Sequence, residues 1–372
     1  MTDPFTPGLL DRIPEPERVV VLRASRLGDF VCATPALRAL RRRLPHSEIT
    51  LIALEYLRDL AERCPSIDRY IAFPGWPGIA EQFFEPRKTA AFFAAVQEHR
   101  FDLAIQMHGS GVNANPFTLM LGARCTAGFV RPGDGAGPLD GALPLPDGHE
   151  IRRSLALTTF LGAPAHGDHP DLPLRALDLG AARTLLGDLS RPLIGVHPGA
   201  REANKRWPSL RFAHAARHAQ EAAGGTIVIL GDDEERERTA AVVDALDGAC
   251  VDLSGRLSLA ALGAVIGSLD VLLTNDSGPA HIAYALHIPS VTIFGGTDPT
   301  RWFPLHAGPH VALFHPMPCR PCETCPIEYE CLRQIDVPPV SAAVLDRLAA
   351  GRAGTPGDAS RAAQRPAAAI PR

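Results

Sequence analysis

A carboxylate follows the first apolar run of the chain at a spacing that suits proton transfer. Arg18–Leu22 (RVVVL) reads as a buried strand, and Arg23-Ala-Ser-Arg-Leu-Gly-Asp29 leads from it towards a helix. Gly28 permits a tight turn. Asp29 then stands at a helix start, where a carboxylate can take a proton from a substrate hydroxyl. Aspartate is equally at home there as an N-cap, and position alone leaves both roles open.

Three further segments have the make-up of a phosphate-binding crevice. In Gly195-Val-His-Pro-Gly199-Ala-Arg-Glu-Ala-Asn-Lys205-Arg206-Trp207-Pro208, a Gly/Pro loop bears two adjacent cations. Backbone N–H groups and a fixed positive charge can hold a pyrophosphate there; the plain alternative is a solvated surface charge. Of 37 Lys plus Arg only two are lysines, Lys88 and Lys205, which sharpens interest in the second. Leu230-Gly-Asp-Asp-Glu-Glu-Arg-Glu237 places acids at a strand-to-helix turn. They suit the helix dipole, and one of them can instead accept from ribose hydroxyls. In Leu273-Thr-Asn-Asp276-Ser277-Gly278-Pro279-Ala-His281, a turn precedes a helix whose N-terminus can face an anion. Pro279 suits its first turn. A single His281 on a helix is more often structural than catalytic. Gly295 and Gly296 allow a loop close to a ligand.

The elements that must position these residues alternate. Glu48–Leu54 and Phe101–Met107 read as strands, with a helix over Ala36–Leu44 and a Gly/Pro-rich loop over Arg131–Gly148. Another helix starts near His149. After a junction near Gly162–Arg191 the alternation begins afresh, with strands Leu193–His197, Thr226–Leu230, Val271–Asn275 and Ser290–Phe294. The helices between them are expected at Leu210–Ala223, Asp233–Leu246, Leu259–Gly267 and Pro279–Leu286. This predicts an α/β chain of two Rossmann-like domains with parallel sheets, ligands meeting the strand C-termini. We place an extension at 1–17, the domains at 18–175 and 176–350, and a disordered tail of Ala, Arg, Pro and Gly at 351–372.

Length and composition bound the rest. The 372 residues exceed one comfortable core, and 46% apolar content is ordinary for a globular protein. No run reaches the ~20 apolar residues of a membrane span, and the acids and prolines of the N-terminus do not read as a signal peptide. A net charge of −4 argues against nucleic acid as a partner. A cytosolic protein is expected. Arg38, Arg41, Arg42 and Arg43 form a basic patch that can meet anionic headgroups at the inner membrane face, or be an ordinary solvated helix face. Cys319, Cys322, Cys325 and Cys331 lie within thirteen residues. Four thiolates can bind a structural zinc ion or an iron–sulfur cluster; free thiols or a disulfide are the other readings.

Taken in order, the motifs RLGDxxxxTPAL (Arg26–Leu37), HPGAxxxxKxWP (His197–Pro208) and TNDSGPAHIAxALxxPxVxIFGxTDP (Thr274–Pro299) resemble glycosyltransferase family 9, the heptosyltransferases of lipopolysaccharide core assembly. The resemblance implies the GT-B architecture, two facing Rossmann-like domains around a crevice. It also implies heptose transfer from ADP-heptose to a lipid-linked saccharide, with inversion and with no metal or other cofactor for catalysis. Asp29 would be the base and Lys205 would stabilise the leaving diphosphate. Glu235, with Glu234 close behind, would hold the ribose. Asp276 would bind the sugar hydroxyls beside Ser277, while Gly278 and His281 frame the diphosphate and Gly28 shapes the base's turn. The rivals are the same fold with another sugar or glycan, a binding protein that transfers nothing, and a nucleotide-sugar epimerase.

Overall fold

The structure, a computed structural model, describes residues 3–322, 325 and 329–353. Twelve strands form two six-stranded sheets, parallel throughout. The first contains β1 (Arg18–Leu22), β2 (Glu48–Ala53), β3 (Arg69–Ala72), β4 (Leu103–Gln106), β5 (Cys125–Val130) and β6 (Gly141–Pro144). The second contains β7 (Leu193–His197), β8 (Thr226–Ile229), β9 (Val251–Asp252), β10 (Val271–Asn275), β11 (Ser290–Phe294) and β12 (His310–Phe314). The orders are β3-β2-β1-β4-β5-β6 and β9-β8-β7-β10-β11-β12, one topology used twice. Both faces of each sheet are covered, which is why Val19–Leu22 and all of β7 and β10 are apolar or buried along their length.

Three expectations change. The helix after β1 spans Leu27–Arg43, not Ala36–Leu44, although Pro35 lies inside it. Proline removes the N–H that would reach the Val31 carbonyl, and the Thr34 hydroxyl donates to that carbonyl instead, at 2.7 Å. The segment expected as a loop at 131–148 contains β6, an edge strand in which Pro144 is tolerated. At the other end the helix Val337–Ala353 runs past the expected start of the tail, and residues 354–372 lie outside the described residues.

One apolar cluster joins the first sheet to the junction-facing side of the second. Another fills the far side of the second sheet, beneath the helices Ser209–Ala223 and Val337–Ala353. At the junction, the helix Leu27–Arg43 packs on the helix Gly278–Ala285. Two glycines make that approach possible. A Cβ on Gly28 would lie 2.6 Å from His281 Cδ2, and one on Gly278 would lie 2.8 Å from Leu27 Cδ2. Gly28 therefore serves the packing of two helices rather than a turn. In an open helix Gly→Ala stabilises by about 1 kcal/mol. Here Gly28→Ala is expected to destabilise instead, by about 1–3 kcal/mol through overpacking, as a lowered midpoint of thermal unfolding.

Candidate active site

The first cluster is built at the C-terminal end of β1. Arg23, only 3% exposed, donates from Nη1 to the Met107 carbonyl. Its Nη2 is shared between Asp29 Oδ1 (2.9 Å) and Glu150 Oε1 (2.8 Å). Asp29 lies in the first turn of its helix, and a quarter of its side chain remains exposed. Burial raises its pKa above the usual aspartate value, with Arg23 opposing and Glu150 adding to the rise. Burial would raise Glu150 as well, but Arg23 and Arg301 outweigh it and hold Glu150 down at about 2. His108, joined to Ser25 Oγ at 2.9 Å, is pushed down to about 4 by burial and Arg23, so it is neutral at pH 7. These groups line a polar cavity of about 170 Å³, closed from the second domain by Arg301.

The second cluster gathers the loops after β7 and β10. Asn275 ties them: its Nδ2 donates to the Pro198 and Gly199 carbonyls, and its Oδ1 accepts from the Trp207 N–H. Trp207 is fully buried and fixes the loop end. Between these anchors, Lys205 Nζ lies 3.4 Å from Asp276 Oδ2 and 3.8 Å from Glu202 Oε2. Asp276, 2% exposed, also accepts from Thr297 Oγ1 at 2.6 Å. Ser277 Oγ sits 3.4 Å from both Thr274 Oγ1 and His197 Nδ1.

Glu235 is brought to the same loop. Its Oε2 meets His197 Nε2 at 2.9 Å, and a Cβ on Gly199 would displace its carboxylate from this position. Against the cost of burial, His197 and the Asp232 N–H keep its pKa low. Asp232 and Glu235 also form a reciprocal capping box, splitting the expected helix Asp233–Leu246 into a short 3-10 turn and the helix Arg236–Ala245. The structural role weighed for these acids is thus realised, and Glu234 makes no comparable link to the loop. His281, 5% exposed, packs against Gly28, Tyr284 and Trp302, with Nδ1 3.6 Å from Cys32 Sγ. Burial pushes it down to about 4, so at pH 7 it brings no positive charge to a diphosphate.

The two clusters face one another. Arg26, three residues before Asp29, lies 4.0 Å from Glu202, three residues before Lys205. Sequence reasoning missed Glu150, Arg301, Asn275 and Thr297. Asn275 and Thr297 stand inside the Thr274–Pro299 motif but no role was assigned to them, Arg301 lies just beyond it, and Glu150 at a helix start looks like any acid that complements the dipole.

The cysteine segment reaches the second cluster through its backbone. Asn204 Nδ2 donates to the Cys322 carbonyl (2.5 Å), Cys322 N–H to Gly296 (2.8 Å), and Gly296 N–H to Asn204 (2.7 Å). Arg320 donates to the Thr297 carbonyl at 3.1 Å. The segment thereby braces the loops of Lys205 and Asp276. All four cysteines are free thiols, and among the described residues no group of three or more His, Cys, Asp or Glu is arranged to hold a metal ion. In the basic patch, Arg38 pairs with Asp171, Arg41 with Asp68 and Arg43 with Asp11. No helix among the described residues is long and apolar enough to cross a membrane.

The model of glycosyltransferase family 9 (heptosyltransferase) matches residues 89–332, more than half of the chain. The chain belongs to glycosyltransferase family 9. The chain is 29% identical over 306 residues to lipopolysaccharide heptosyltransferase 2 of Salmonella typhimurium, covering 77% of this chain and 85% of the relative. It is 28% identical over 321 residues to lipopolysaccharide heptosyltransferase 1 of Pseudomonas aeruginosa, covering 83% and 87%. Its fold is shared with a family 9 glycosyl transferase of Veillonella parvula (TM-score 0.75, 23% identity, 90% and 98% covered). The E. coli ADP-heptose LPS heptosyltransferase II is similar too (TM-score 0.70, 22% identity, 90% and 98% covered). This family 9 glycosyltransferase has the expected GT-B arrangement of two facing α/β domains.

Proposed function

We propose that the protein transfers heptose from ADP-heptose to a lipopolysaccharide core acceptor, with inversion, and that it works in the cytoplasm. The observation that carries the reading is the placement of Asp29, in the first helical turn after β1, and Lys205, in the segment after β7, on facing sides of the two domains. An acceptor hydroxyl in the polar cavity gives its proton to Asp29 as its oxygen attacks the anomeric carbon of the donor. The bond from that carbon to the diphosphate oxygen breaks, and its electron pair leaves on ADP. Lys205 faces that developing charge. One displacement with base and leaving group on opposite sides inverts the centre. Names of the relatives support heptose and lipopolysaccharide, and that of a solved neighbour supports ADP-heptose.

Asp276 accepts from sugar hydroxyls on the side away from Lys205, and Glu235 has its second oxygen for the ribose. Ser277 and the N–H groups after it face the diphosphate. This chemistry draws on groups of the chain itself and assigns no catalytic step to a metal. The test is ADP release from ADP-heptose with and without a Kdo–lipid A acceptor. Acceptor-dependent release is expected. Release equal in both arms would replace transfer by hydrolysis or epimerisation. Binding without release would leave a nucleotide-sugar-binding protein, and release from a UDP- or GDP-sugar alone would overturn the donor.

A further inference from the structure

Glu150 stands among three arginines, Arg23, Arg153 and Arg301. It opens the helix Glu150–Leu161, is 5% exposed, and uses its two oxygens on different domains. Oε1 accepts from Arg23 Nη2 at 2.8 Å; Oε2 accepts from Arg301 Nη2 at 2.9 Å and Nε at 3.1 Å. Arg153 Nη1 stands 3.6 Å from Oε2. Arg301 belongs to the short helix Pro299–Trp302, which follows the Gly295–Asp298 loop of the second domain. The same Arg23 Nη2 that serves Glu150 serves Asp29.

We propose that Glu150 is a positioning residue for Asp29: it divides Arg23 with Asp29 and takes Arg301 from the second domain, so docking of that domain sets the charge of the base. The inference rests on the reading of Asp29 as that base. A buried carboxylate among three arginines is a poor way to gain stability, because desolvation offsets most of the attraction. Its geometry suits a balance better. With Arg301 docked, part of Glu150's charge is neutralised and Arg23 is left to Asp29. With Arg301 withdrawn, Glu150 claims more of Arg23 and repels Asp29.

The signs follow from the groups around Asp29. Burial raises its pKa, Arg23 and Arg301 lower it, and Glu150 and Glu81 raise it. His108 is neutral, and Arg153 acts on Glu150. Docking of Arg301 thus favours the ionised form that can accept a proton. The base is charged when the donor domain is in place.

The test follows the titration of Asp29 itself by carboxyl-carbon NMR in the full chain labelled at aspartate, with Asp29→Asn assigning the signal. Glu150→Gln is expected to move the titration to lower pH and Arg301→Gln to higher pH. The acid limb of kcat/KM should follow in the same directions. Arg301 is 40% exposed, so its variant decides the matter even where Glu150→Gln fails to fold. Unmoved titrations, or shifts of one sign in both, overturn the inference. Full turnover by Asp29→Asn would instead overturn the base reading alone, since the titrations are read without substrate.

Discussion

Asp29→Asn is expected to lower kcat by about 10²–10⁴-fold, the range in which a positioned general base contributes. The substitution preserves shape and leaves an oxygen for Arg23, so the local packing survives while the proton acceptor is lost. The proposed donor site draws on the other domain, and its affinity for ADP should therefore hold. ADP release at saturating acceptor reads the first quantity and calorimetric titration with ADP the second. Turnover near that of the unaltered enzyme would show that proton removal is left to solvent. Because burial has raised the pKa of Asp29, activity should fall on the acid side through that raised value, as the protonated carboxyl cannot accept. The acid limb should therefore lie at higher pH than in an enzyme whose base is held low by its partners.

The second large effect is expected at Lys205. Lys205→Met keeps the length of the stem and removes the charge, and kcat should fall by about 10²–10³-fold, as when one preorganised electrostatic contact is deleted. ADP binding should weaken as well. The loss has a local cause: Asp276 is 2% exposed and Lys205 Nζ is 3.4 Å away, so the methionine would leave that carboxylate facing the diphosphate uncompensated. Lys205→Arg is a weak rescue, since a planar guanidinium cannot occupy the place of a compact ammonium between Glu202 and Asp276. Comparing kcat with the ADP dissociation constant in the three proteins separates charge from packing, and an unchanged kcat in Lys205→Met would remove Lys205 from the reaction.

The most legible parts of the sequence were those where local and global demands agree. β1, β7, β10 and β11 are short apolar runs because both faces of a parallel sheet are covered, and each was readable without knowledge of its partners. β3 and β9, four and two residues long, carry too little pattern to stand out. The start of the helix Leu27–Arg43 was hidden by Pro35, whose missing bond is made good by the side chain of Thr34. Asp29 and Lys205 could be singled out because each follows the first strand of its half. Glu150 and Arg301 could not, since what defines them is a bond between residues 151 apart. The sequence suggests a tight turn at Gly28 and a diphosphate contact at Gly278, but not that both glycines allow two helices to pack closely.

The apolar cluster that runs from the first sheet into the second has a thermodynamic consequence. Separating the halves would wet side chains such as Leu27 and Ile282, which the intact chain keeps dry. Neither half then owns a complete interior, despite having its own sheet. Heating should accordingly melt the molecule as one cooperative body, with calorimetric and van't Hoff enthalpies in agreement. The two halves share one topology and one fate: neither should persist folded after the other has unfolded.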